Sequence, residues 1–125
     1  MAANRELRRL EVEGLSASWL AVRLGSQPAR LDILRRAGAL FGVRHPGARE
    51  HYYPAWQFER GATEANPNVK RVLAAAREAG LSELELYRLL DRREGLGPQR
   101  LADALRKGRV EFVVGQIRAA AGRAA

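Results

Sequence analysis

His45 and His51 are the only imidazoles in the chain, and they lie six residues apart across a Pro-Gly turn with Glu50 beside the second. Such a set could hold a metal ion or move a proton. Histidines flanking an exposed turn face solvent or phosphate far more often. The expected role is therefore a transient contact to a polyanion, with no metal and no cofactor. Cysteine is absent, which removes disulfides, thiolate zinc sites and cysteine nucleophiles. No Gly-rich phosphate loop, nucleophile elbow or His-Glu-x-x-His motif occurs. Glu78 and Glu94 sit beside Arg77 and Arg93 and read as solubilising pairs. No catalytic residue is assigned, and the chain is not read as an enzyme.

The arginines carry more information. Of 22 cations 20 are arginine, set against 14 acids, for a net charge of +8 in 125 residues. That balance favours an anionic partner such as nucleic acid, although a GC-rich coding sequence would produce the same bias towards arginine. Position separates the two explanations. Between Trp19 and Arg49 lie Arg23, Arg30, Arg35, Arg36, Arg44 and Arg49 against one acid, Asp32, so this window holds +5 of the total. Guanidinium groups fork onto phosphates and onto guanine O6 and N7. Neither a signal-type apolar start nor an apolar run of about 20 residues occurs, so the expectation is a soluble cytoplasmic protein without a membrane partner.

The elements that must position these arginines follow from periodicity and punctuation. Residues 4–13 suit a short amphipathic helix with Leu7 and Leu10 on one face, closed by Gly14. Ser16 caps a helix over 17–24, Gly25 ends it, and Pro28 falls in the first turn of a third helix that stops at Gly38. Residues 40–44 and 51–54 then read as two strands joined by the turn 45–50. Five of the eight aromatics, Phe41, Tyr52, Tyr53, Trp56 and Phe58, fall here and read as cover for a small hairpin. Residues 61–66 form a connection. Beyond it the pattern is helical: a helix from Pro67 to Ala79, a capping box at Ser82 and Glu85, a loop over 92–97, a helix from Pro98, and a last one from the Lys107–Gly108 turn to about Ala120.

Residues 17–34 fit the helix-turn-helix template in spacing. Ala21 provides the small residue where two helices cross, Gly25 the turn, and Leu20, Leu24, Leu31 and Leu34 the apolar lock. Outward positions on the second helix, 27–37, are Gln27, Pro28, Arg30, Arg35 and Arg36. A hairpin directly after it, with Arg44, His45 and Arg49 around its tip, reads as a wing that touches the DNA backbone. The fold expected is mainly α with a small β-hairpin: a winged helix-turn-helix over 1–60 followed by a helical lobe over 61–125. Candidate DNA-binding residues are Arg23, Gln27, Arg30, Arg35, Arg36, Arg44, His45 and Arg49.

Ser16, Ala17, Leu20, Ala21, Leu24 and Gly25, followed by Leu31, Leu34, Gly38, Leu40, Val43 and Arg44, resemble the start of small bacterial winged helix-turn-helix DNA-binding regulators. Residues 53–58, with Val72, Leu73 and 79–81, resemble their continuation. Leu96 and Gly97, then 103–108 and Val110 to Val113, are similar to the C-terminal helical domain of Xre/MbcA/ParS-type antitoxins. The resemblance implies double-stranded DNA binding through 27–36 and the wing, and a protein partner for the C-terminal helices. The expectation is a sequence-specific transcriptional regulator, a homodimer through its C-terminal lobe because one reading head touches few base pairs. Two other readings fit the same residues: an antitoxin-type module whose C-terminal helices hold a toxin, and a basic adaptor that never touches DNA.

Overall fold

Helix α1 (Ala2–Glu13) runs straight into strand β1 (Gly14–Ser16), a strand that the residue pattern does not predict. The computed structural model describes residues 2–58, 66–92 and 99–124. After β1 come α2 (Ala17–Arg23), α3 (Pro28–Arg36), β2 (Tyr52–Pro54) and a single 3-10 turn (Ala55–Gln57). Then follow α4 (Pro67–Glu78), α5 (Glu83–Leu90), α6 (Leu101–Arg106) and α7 (Val110–Ala124). The described residues are thus mainly helical with one small antiparallel sheet, and the chain divides into two compact units, Met1–Ala65 and Asn66–Ala125.

Local chemistry sets the ends of the helices in the first unit. The Ser16 hydroxyl accepts from the Trp19 N–H at 3.2 Å and caps α2. Gly25, at φ +64°, turns the chain out of the helix: its own N–H reaches the Val22 carbonyl and that of Ser26 the Ala21 carbonyl. Those two bonds satisfy carbonyls that the helix end would leave open. Pro28 then opens α3, where a missing N–H costs nothing. Leu20, Ala21, Leu31, Leu40 and Tyr53 form the buried centre, with Leu15, Ala17, Leu24, Leu34 and Phe58 packed onto it. Ala21, Leu20 and Leu31 lie inside, as their spacing predicts, and Leu24 and Leu34 close over them half-buried.

The sheet differs from the expected hairpin. β2 pairs with β1, Gly14 opposite Pro54 and Ser16 opposite Tyr52, while residues 40–44 contribute one bridge, Val43 to Tyr52. The bridge is closed by both backbone bonds, at 2.9 and 2.8 Å. It cannot lengthen through Phe41, because Gln57 holds that residue's backbone. The Gln57 Oε1 accepts from the Phe41 N–H at 2.8 Å, and its Nε2 donates to the carbonyls of Phe41 and Pro54 at 2.7 and 3.1 Å. A side chain thus does the work of a neighbouring strand. The Pro-Gly turn is present, closed by the Ala48 N–H on the His45 carbonyl at 2.9 Å.

In the second unit α4 packs along α7, and α6 lies against both α7 and α5. Asn66 caps α4 through the Asn68 N–H, and the Ser82–Glu85 capping box forms at 3.1 and 3.0 Å. The box draws the Glu85 carboxyl below its ordinary range, chiefly through the Ser82 backbone bond. Val69, Val72, Leu73 and Ala76 of α4 are buried, as are Val113, Val114 and Ile117 of α7. In α5 the buried set is Leu86, Tyr87, Leu89 and Leu90, with Leu84 half-buried. α6 starts at Leu101 with Arg100 as its cap. The expected start at Pro98, the bulk of the 92–97 loop and the 61–65 connection lie outside the described residues. Among the described residues no helix is long and apolar enough to cross a membrane.

Candidate nucleic-acid interface

α3 is anchored through Leu31, with Leu34 packed half-buried beside it, and is open on the opposite side. Leu31 is fully buried, while Ala29, Arg30, Ile33, Arg36 and Ala37 are exposed. At 100° per residue these five fall on the far side of the helix from Leu31, forming one stripe. Gln27, the residue before the first turn, is exposed, and its side chain makes no capping bond. Arg23 on α2 is also exposed, its guanidinium 5.4 Å from the centre of the Trp19 ring. Stacking of this kind restricts a long side chain without neutralising it.

Arg35 departs from the outward set. Its side chain is only 13% exposed, its Nη2 donates to Asp32, and its stem lies where a Cβ on Gly42 would meet it at 2.8 Å. The Tyr53 ring would be met at the same distance, so residue 42 must be glycine for Arg35 and Tyr53 to pack there. Arg36 keeps 74% exposure while its Nε rests 3.0 Å from the other Asp32 oxygen. Asp32 is the one acid on α3, and the Arg35 hydrogen bond holds its carboxyl below the usual carboxylate range. It therefore faces an approaching anion already matched by two guanidinium groups.

His45 also turns inward. It is 6% exposed, its Nδ1 accepts from the Gly47 N–H at 3.1 Å, and its Nε2 lies 3.4 Å from Glu6 on α1. The imidazole braces the turn from within because Gly47 brings the backbone back over the ring. Pro46, Arg44 and Arg49 take the outer positions. Arg30, Arg44 and Arg49 form no ion pair among the described residues. Glu50 is directed at the start of α2, accepting from the Ser18 N–H at 3.5 Å. Six of the eight candidates (Arg23, Gln27, Arg30, Arg36, Arg44 and Arg49) are thus exposed in this unit, and Arg35 and His45 support them. Among the described residues no three His, Cys, Asp or Glu side chains are placed to share a metal ion.

His51 lies within the field of the charges at the end of α3. Burial lowers its pKa first, followed by the charges of Arg35 and Arg44; Asp32 pulls the other way, and Arg36 adds the smallest push downward. The folded chain thus holds His51 neutral where the unfolded chain would protonate it, near 6.5. Stability from this group is complete above 6.5 and is lost as pH falls from there towards the lower folded value. Urea midpoints measured between about pH 7 and pH 5 should decline, and His51→Gln should decline less steeply. An identical slope in the variant would remove His51 as the cause.

Two residues of the first unit escape a reading by motif. Ile33 sits 58% exposed in the middle of the α3 stripe, which its spacing of two from Leu31 already implies. Gln57 stands between aromatics with no local signal that its amide would replace a strand. No protein-family profile and no curated protein sequence matches the chain. A solved structure, the NMR structure of Rv2175c, aligns with a TM-score of 0.70 at 22% identity, over 86% of this chain and 80% of that one. The likeness is one of fold.

Proposed function

We propose that the chain is a sequence-specific double-stranded DNA-binding protein of the cytoplasm, acting as a transcriptional regulator. Residues 1–60 serve as a winged helix-turn-helix in this reading, with α3 entering the major groove and the 45–50 loop resting on the DNA backbone. The observation that carries it is the exposed face of α3, where Arg30 and Arg36 flank the centre of the stripe beside a loop whose Arg44 and Arg49 are open. A helix of that width fits the major groove, and paired arginines suit guanine edges and phosphates. Because His45 is held inside, the loop's contacts fall to Arg44 and Arg49. The second unit supplies the homodimer contact that would set two reading heads on one site.

Fluorescence anisotropy with a random-sequence duplex at two ionic strengths tests the proposal. Binding at low salt that weakens steeply with added salt is expected; no binding at low salt would overturn it. Arg49→Ala should lower affinity about equally on every sequence. It should also reduce the slope of log K against log salt by roughly 0.9, the value of one phosphate contact. A sequence-dependent loss would instead place Arg49 on a base.

A further inference from the structure

We infer that Ile33 reads thymine, packing its side chain on the 5-methyl group of one base at the middle of the bound site. The inference rests on the assignment of α3 to the major groove. Isoleucine is among the residue types most often buried, and here it stands 58% exposed, opposite Leu31 on the helix. One turn away on either side are Ala29 and Ala37, both exposed and too small to cover it. Three positions away on either side are the exposed Arg30 and Arg36. The stripe therefore offers an apolar centre, low shoulders that allow close approach, and a cation at each end.

An apolar protein surface would fill the centre and leave both guanidinium groups desolvated, with Arg23, Arg44 and Arg49 exposed in the same unit. A major groove suits both features. Its phosphates and guanine edges take the arginines, and its one apolar group is the thymine methyl. No other position on the exposed stripe of α3 carries a side chain larger than alanine that is also uncharged.

The test replaces each thymine of a duplex selected from random DNA by deoxyuridine, one at a time. This removes the methyl and leaves every hydrogen-bonding edge intact. The wild-type chain should lose about fourfold in affinity at one position, the value of one buried methyl, and little elsewhere. Ile33→Ala should lose a similar factor on the thymine duplex and nothing further on the deoxyuridine one. Alanine favours a helix at least as well as isoleucine at this exposed position, so the variant should fold, which its circular dichroism melt checks. Tight binding in which no deoxyuridine matters, or in which Ile33→Ala and the deoxyuridine act additively, would overturn the inference and leave the DNA-binding proposal standing. Failure of the wild-type chain to bind any duplex would overturn the proposal and the inference with it.

Discussion

Gln57→Leu should destabilise the first unit by about 3–9 kcal/mol, the largest effect expected of any single change. The side chain is fully buried, and its amide serves three backbone groups: the N–H and carbonyl of Phe41 and the carbonyl of Pro54. Leucine fills similar space and strands those groups away from water, each at a cost of about 1–3 kcal/mol. At roughly 0.05–0.15 kcal/mol per residue a unit of this size has only about 3–10 kcal/mol to lose, so most of its stability is at stake. The measurement is selective by nature. Both tryptophans of the chain, Trp19 and Trp56, lie in the first unit, so indole fluorescence during urea unfolding reports on that unit. A shift worth less than about 1 kcal/mol would mean that other groups or water satisfy the Phe41 backbone.

Arg30→Ala should weaken binding to a selected DNA site by about 1–3 kcal/mol, a factor of roughly 5 to 150, and relax the preference at one base pair. Arg30 is the cation of the α3 stripe without an ion pair among the described residues, so its fork is available to a guanine edge at no cost in broken contacts. Arg36 provides the internal control. It must share its guanidinium with Asp32 at 3.0 Å, and such a half-exposed pair is worth only about 0–1 kcal/mol. Arg36→Ala should therefore cost less than Arg30→Ala on the same site. Binding-site selection repeated with each variant reads both the affinity and the preference. An Arg30→Ala protein that keeps full affinity and an unchanged selected sequence would remove α3 from the base-reading role.

The two results address different parts of one arrangement. Gln57 holds the strand that carries the loop, and Arg30 stands on the helix beside it. The Gln57 variant should lose binding only by unfolding, whereas the Arg30 variant should bind poorly while its tryptophan unfolding curve stays where it was. Finding the reverse pattern in either would assign the wrong work to that residue.

The helices of the first unit were legible because their causes are local. Ser16, Gly25, Pro28 and Gly38 each act on backbone groups within five residues, and Leu20, Leu24, Leu31 and Leu34 lie at spacings that only one face of a helix satisfies. The same holds for Asn66 and for the Ser82–Glu85 box in the second unit. The concentration of arginine between positions 19 and 49 is likewise a property of the chain itself, whatever its conformation.

Tertiary structure alone decided which of those arginines point outward and what the strand at 52–54 pairs with. Arg35 turns in because Gly42 leaves room for its stem and Asp32 is three residues away to receive it. His45 turns in because Gly47 and Glu6, the latter on a helix some 39 positions earlier in the chain, present a donor and an acceptor to its two nitrogens. Strand β2 pairs along one edge with Gly14–Ser16, and along its other edge pairing stops at the Val43–Tyr52 bridge, where Gln57 holds the backbone of Phe41. Caps and periodicity depend on neighbours a turn apart, and the sequence displays those directly. A buried polar side chain depends on whichever distant group meets it once the core closes, and no spacing along the chain encodes that meeting.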